Sequence, residues 1–310
     1  MRKAVIICGP TGAGKSALGN ILANKNSGAI INADSMQLYS ALEKLTSSPN
    51  FDSKSQIPHY LYNYVNPTEK FNIATYLHDF DSVINNIEKQ TIFIIGGTGL
   101  YINGIINGIP EIPNISSSVK EEVSRLKEEK GLLYLHKLLS DKDQLLGKKI
   151  SHTDTQRLIR AAEVFLATGK SIFDYQDAPK KNHLSNFSLK IIYLKPKREF
   201  LHQICYKRFE GFFANESLEE IRDFVQRYHN LKTALDKTVG LNEMKAYLSD
   251  VMNKEEALLS GFIKTRQYAK RQYTWFNNKL PPYTRIVEYD SISEFDLLSR
   301  DLSEKNVSEI

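Results

Sequence analysis

Eight residues near the start, Gly9-Pro10-Thr11-Gly12-Ala13-Gly14-Lys15-Ser16, match the spacing G-x-x-x-x-G-K-[ST] at every required position. Each residue type there suits a phosphate chain. The glycines let the backbone curl into a nest of N–H groups, Lys15 adds a point charge, and the Ser16 hydroxyl can ligate Mg²⁺. A carboxylate follows in Asp34-Ser35-Met36-Gln37, and a third segment, Gly96-Gly97-Thr98-Gly99-Leu100-Tyr101, offers bare backbone and one hydroxyl. An ATPase would usually end the preceding strand with an aspartate that holds Mg²⁺ and orients a water. Glycines and a threonine suit close approach to a substrate better than phosphate hydrolysis, although a tight strand-to-helix turn would read the same way.

These groups need a frame that presents them together. Ala4–Cys8 is a short continuous apolar run of the kind buried in a parallel sheet, and Ser16–Ala23 has apolar residues at helical spacing. Strand, glycine loop and helix therefore come in the order a phosphate-binding loop requires, with the helix dipole adding to the site. Ala29–Asn32 reads as a second strand, which puts Asp34 at a strand's carboxyl end, where open parallel sheets gather their binding groups. A helix cap or turn is the plainer role for Asp34. Residues 40–55 read as a mobile loop, Pro58–Tyr62 as a possible short strand, Ala74–Lys89 as an amphipathic helix, and Thr91–Ile95 as the clearest strand.

Two prolines, Pro110 and Pro113, mark a boundary, and strand signals vanish until Leu189. We expect an α/β fold: a P-loop-type parallel sheet flanked by helices, formed by residues 1–112 and 186–310, with an all-helical insertion over residues 113–185. In the insertion, Ser118 to Glu121 reads as a capping box opening a helix to Lys130. Further helices are expected at Leu132–Leu139 and Thr155–Thr168, the latter stopped by Gly169. Arg157 and Arg160 share a helix face. Beyond the insertion come a strand at Leu189–Leu194, a helix Phe200–Ala214 bearing Lys207 and Arg208, and a second capping box at Ser217–Glu220. Gly261–Leu280 contains Lys264, Arg266, Lys270, Arg271 and Lys279 with no acid, interleaved with Tyr268, Tyr273, Trp275 and Phe276. This suits contact with a phosphate backbone, or equally an amphipathic helix with its aromatics inward. The polar residues after Asp301 are expected to fray.

Composition excludes several classes. Across 310 residues, 41% are apolar and 25% charged, which describes an ordinary globular chain. A net charge of +5 permits a nucleic-acid partner without requiring one. Two cysteines, Cys8 and Cys205, rule out a disulfide framework, and the seven histidines show no metal-ligand spacing. No apolar run approaches a membrane span, and the opening strand leaves no room for a signal peptide, so the expectation is a cytoplasmic enzyme.

Gly9–Ser16, Asp34–Gln37 with Tyr39, Gly96–Tyr101, Gln156–Ala161, Thr168–Lys170, Thr265–Gln272 and Thr274–Phe276, in this order, resemble the bacterial tRNA dimethylallyltransferase family. The phosphate loop is common to many families, whereas the other segments together are specific. The resemblance implies transfer of a dimethylallyl group from dimethylallyl diphosphate to the exocyclic amine of the adenosine at position 37, beside the anticodon, in tRNAs reading codons that start with U. The phosphate loop then holds a leaving diphosphate, in keeping with the missing strand-end aspartate. Asp34 is implied as general base, and Thr98 as a group that positions the reactants. Lys15, Arg208 and Ser16 with Mg²⁺ are implied to grip the diphosphate. The tRNA contacts implied are Asp34, Ser35, Met36, Gln37, Thr98, Lys120, Gln156, Arg157, Leu158, Ile159 and Arg160. The family also implies a monomer acting on the anticodon stem-loop.

The chain departs from the family pattern in three places. Ser40–Pro49 replaces a glycine-containing stretch ending G-T-A-K-P, Val239-Gly240-Leu241-Asn242-Glu243 replaces V-G-Y-K/R-E, and Pro58-His59-Tyr60 keeps one of two histidines. The rival activities are a nucleotide or small-molecule kinase, a prenyltransferase acting on free AMP, and a binding-only P-loop protein. Activity on ATP, AMP or tRNA separates them.

Overall fold

The structure, a computed structural model, describes residues 1–49, 57–176, 179–307 and 309. Met1–Ile106 with His183–Ile310 form one compact unit and Asn107–Asn182 a second. The first is built on a six-stranded sheet, ordered β3-β2-β4-β1-β5-β6, in which every neighbouring pair is parallel. Its strands are β1 (Arg2–Cys8), β2 (Ala29–Asn32), β3 (His59–Tyr60), β4 (Thr91–Gly96), β5 (Phe187–Pro196) and β6 (Arg285–Tyr289). The central strands are buried along nearly their whole length, as their unbroken apolar runs require. In register, Cys8 pairs with Gly96 and Asn32 with Ile95, so β1, β2 and β4 end on one edge of the sheet. The loops leaving those ends carry Gly9–Ser16, Asp34–Gln37 and Gly97–Thr98.

Around the sheet lie α1 (Lys15–Lys25), α2 (Glu43–Thr46), α3 (Ile73–Asn86) and α4 (Gly99–Asn107). Gly14 precedes α1 in the left-handed region at φ 70°, a conformation that favours glycine. The short α2 lies within the stretch expected to be a mobile loop. Glu220 caps it from outside, accepting the Lys44 and Leu45 N–H groups at 2.9 and 3.2 Å; residues 50–55 of that stretch lie outside the described residues.

After β5 come α8 (Arg198–Gly211), α9 (Asn215–Arg227), α10 (Leu241–Leu248) and α11 (Lys254–Lys279), with α12 (Ile292–Glu304) last. The helix α9 begins at Ala214, which has no side-chain cap, so the expected Ser217 capping box is corrected: Ser217 is buried inside the first turn. The edge strand β6 was missed because only its alternate residues are buried.

The expected fraying after Asp301 is also corrected. Leu302 is 1% exposed and Val307 is buried with it, in a cluster that includes Val5, Leu18, Phe93 and Ile192. Two apolar residues in a polar tail dock the terminus, because each removes a large apolar surface from water. Leu302→Ala should lower stability by about 2–5 kcal/mol, the range for truncating a buried leucine. A shift in the urea midpoint measures it, and no shift would mean that the tail does not dock.

The second unit is helical. It holds α5 (Ser117–Ser140), α6 (Gln144–Lys149) and α7 (Thr155–Thr168) around Val123, Leu135, Leu139, Leu146, Leu158 and Ala161. The helix α5 joins the two helices expected from sequence, broken at Gly131 (φ 80°). Its cap is Ser116, two residues before the expected Ser118, whose hydroxyl shares a hydrogen bond with Ser116 instead. Asp154 caps α7 and Gly169 ends it.

Candidate active site

Asp34 owes its placement to Asn32, the last residue of β2, whose side chain is wholly buried. The Asn32 amide donates to the carbonyl oxygens of Asp34 (3.0 Å) and Leu61 (2.9 Å), and its oxygen accepts the Asp34 N–H at 2.8 Å. From α3, Tyr76 donates its hydroxyl to the Asn32 carbonyl at 2.7 Å. Asp34 Oδ1 accepts the Met36 N–H at 3.0 Å, closing a local turn. The expected turn role is thus real, and it uses one carboxylate oxygen.

Asp34, Lys15, Ser16 and Arg208 line one cavity of about 360 Å³, together with residues 11–14 of the phosphate loop. Lys15 Nζ donates to the Pro10 carbonyl at 2.8 Å. Burial lowers its pKa to about 8, against the pull of the Asp34 carboxylate. Arg208 reaches in from α8 and donates to Thr11 Oγ1 at 2.9 Å, with its second nitrogen 3.4 Å from the Leu45 carbonyl oxygen. Burial also pushes the Arg208 guanidinium down, and Asp34 again opposes the shift. Two cations and one carboxylate therefore share a confined site, a combination suited to holding a polyanion while a proton is removed nearby.

The Lys15 pKa would make the binding of a polyphosphate here pH-dependent. The cation is the form that attracts a polyphosphate, so affinity is expected to hold below about pH 8 and to fall as Lys15 loses its proton above it. Affinity for inorganic pyrophosphate should drop by about tenfold per pH unit above that point. Titration calorimetry in buffers of different ionisation enthalpy should also record proton uptake on binding near pH 8.5. A flat affinity from pH 7 to 10 would contradict this.

The remaining expected residues fall in two places. Thr98 Oγ1 accepts the Ser35 N–H at 2.9 Å and donates to Ser35 Oγ at 3.2 Å, so its hydroxyl holds the 34–37 loop. Gln37 donates to the Thr46 and Ser47 carbonyls, both at 2.9 Å, and Met36 S accepts the Thr238 hydroxyl. Met36 and Gln37 line the cavity with Ser35. Lys120, Gln156, Arg157, Leu158, Ile159 and Arg160 lie in the helical unit. There Lys120, Gln156 and Arg157 are exposed, and Arg160 donates to Glu163 at 3.1 Å. Leu158 is buried in that unit's core with Ile159 packed against it, so their side chains hold α7 in place.

Sequence reasoning missed part of the cavity wall. Leu45, Phe212, Lys237, Thr238, Val239 and Tyr268 line it, and Arg271 joins them from α11. The inward stripe of α11 includes Thr265, Ala269, Gln272 and Phe276. Two polar residues on a buried stripe were the available signal. Of the basic residues on α11, Lys264 is paired with Glu243, which is 3% exposed, and Arg266 and Arg271 lie over the Phe262 and Tyr268 rings. Leu241, where the family pattern has tyrosine, is a core residue.

Residues 37–279 match the model of the family described as IPP transferase. The chain is 42% identical to a tRNA dimethylallyltransferase of Rickettsia bellii (strain OSU 85-389), over 97% of this chain and 96% of the relative. It is 40% identical to that of Rickettsia prowazekii, over 97% of each. Among solved structures, a full-length tRNA isopentenylpyrophosphate transferase from Bacillus halodurans is 26% identical with TM-score 0.67, covering 100% of this chain and 98% of that one. A eukaryotic dimethylallyltransferase acting on tRNA has the same fold, with TM-score 0.83 at 24% identity, over 98% of this chain and 78% of its own.

Proposed function

This chain belongs to the IPP transferase family and transfers a dimethylallyl group to tRNA; from that premise we propose that the donor is dimethylallyl diphosphate and the acceptor the exocyclic amine of adenosine 37, in the anticodon stem-loop of tRNAs reading codons that start with U. The observation that supports this most is the grouping of Asp34, Lys15 and Arg208 on one cavity. The adenine amine is a weak nucleophile, since its lone pair is delocalised into the ring. As the amine nitrogen bonds to the allylic C1, the C1–O bond breaks and its electron pair leaves with the diphosphate. Asp34 takes the amine proton, through the carboxylate oxygen that Met36 does not occupy. Lys15, Arg208 and the loop N–H groups offset the charge that collects on the departing oxygens.

The donor set fits Mg²⁺ carried by the diphosphate. Among the described residues no group of three His, Cys, Asp or Glu side chains could hold a metal, and Ser16 contributes a hydroxyl at the cavity wall. Mg²⁺ commonly binds through few protein oxygens, with the rest from phosphate and water. When bound, it would add charge neutralisation at the leaving group.

The target adenine must leave its stack to enter the cavity, at a cost of roughly a few kcal/mol. The exposed side chains of Lys120, Gln156 and Arg157, with the half-buried Arg160 beside them, are assigned to tRNA contact on the helical unit. Leu45, Phe212 and Val239 supply apolar wall for the prenyl group. A monomer acting in the cytoplasm completes this reading. No helix of the described residues is long and apolar enough to cross a membrane.

Labelled dimethylallyl diphosphate incubated with the protein, Mg²⁺ and bulk tRNA should give labelled tRNA, and nuclease digestion should place the label on one adenosine. Label in AMP, or turnover of ATP with no transfer, would replace this reading with one of its rivals.

A further inference from the structure

Gln272 lies on the inward face of α11 and is 6% exposed. Its amide spans two loops that are remote in sequence. Oε1 accepts the Thr11 N–H at 2.8 Å, and Nε2 donates to the Gly97 carbonyl at 2.9 Å. Thr11 N–H can only donate and Gly97 O can only accept, which fixes the amide's orientation. Both partners sit against reacting groups. Thr11 holds Arg208 through its hydroxyl, and Gly97 lies close to both Gln272 and Asp34. A Cβ on Gly97 would come within 2.6 Å of Gln272 Nε2 and 3.4 Å of Asp34 Oδ2. One side chain thus grips the peptide that anchors the diphosphate-side arginine and the peptide packed beside the carboxylate.

We propose that Gln272 is a positioning residue for the transfer, setting the separation between the diphosphate cradle and the Asp34 carboxylate by tying Thr11 to Gly97. The proposal rests on the assignment of Asp34 and Arg208 made above. Only a side chain with a donor and an acceptor on one planar group serves both loops. Glutamate would keep the acceptor for Thr11 and set a second oxygen against the Gly97 carbonyl. Methionine, similar in length, would serve neither loop.

The two substitutions therefore separate the two ends of the bridge. Gln272→Glu should bind inorganic pyrophosphate within about threefold of the parent while its single-turnover transfer rate falls by about 10–100-fold, the scale of a misplaced reacting group. Gln272→Met should show the same rate loss and also bind pyrophosphate about tenfold more weakly, since the unpaired Thr11 N–H loosens the loop that holds Arg208. Calorimetry with pyrophosphate reads the cradle without requiring transfer, so a parent that binds pyrophosphate yet labels no tRNA would indict the proposed function and not this bridge. Variants that melt lower but keep the parental rate and pyrophosphate affinity would show Gln272 to be a helix staple only. Failure of both variants to fold would equally overturn the positioning role.

Discussion

Asp34→Asn is expected to slow transfer by about 10²–10⁴-fold, the usual worth of a general base, with tRNA affinity retained. The substitution isolates the chemistry because asparagine keeps an oxygen for the Met36 N–H, the bond that Asp34 makes at 3.0 Å. The Asn32 bonds to the residue 34 backbone are likewise untouched. A second signature accompanies the rate loss. Asp34 raises the pKa values of both Lys15 and Arg208. Without that charge Lys15 gives up its proton more readily, so the alkaline loss of pyrophosphate affinity should begin below the parental pH of about 8. Single-turnover kinetics with saturating tRNA, combined with the pH dependence of pyrophosphate binding, measure both effects. A rate within threefold of the parent would remove Asp34 from the mechanism.

The other large effect is expected from Arg208→Ala. Arg208 is a half-buried cation that donates to Thr11 Oγ1 and approaches the α2 carbonyls of Leu45 and Thr46. Its loss should lower kcat/KM for dimethylallyl diphosphate by about 10²–10³-fold, comparable to removing one preorganised donor from a developing charge. Arg208→Lys retains charge without the two-pronged guanidinium and should fall between the two. Because Arg208 also steadies the wall at Leu45 and Thr46, both variants should be checked by circular dichroism and thermal melting. A folded Arg208→Ala protein with parental kcat/KM would mean that Lys15 and the loop amides suffice.

The 43–46 wall lies in the stretch where this sequence departs from the family pattern, and residues distant in sequence hold it. Leu42 and Ser47 flank α2, both in the left-handed region at φ 57°. Such residues persist where surrounding contacts over-determine them, and here Glu220, Gln37 and Arg208 all hold the segment. Burial pushes the Glu220 carboxyl up, opposed by the N–H groups it accepts. The altered segment is therefore tied into the active site and is not a surface ornament.

Short-range pattern alone determined the β1–loop–α1 unit, β2, β4, α7 with its Gly169 stop, and the three loops that carry the reacting groups. Continuous apolar runs specify buried parallel strands and 3.6-residue spacing specifies helices, and both are properties of neighbours along the chain. The carboxylate and the phosphate loop were legible for the same reason, since each sits where a strand ends. Tertiary structure decided what depends on distant partners. Gln272 meets Thr11 across 261 residues of chain, Glu220 caps a helix 175 residues before it, and Leu302 docks a tail that looks polar. Whether a polar side chain faces solvent, caps a helix or bridges two loops is settled by which surfaces the folded core brings together. Residue type and spacing carry no record of that choice.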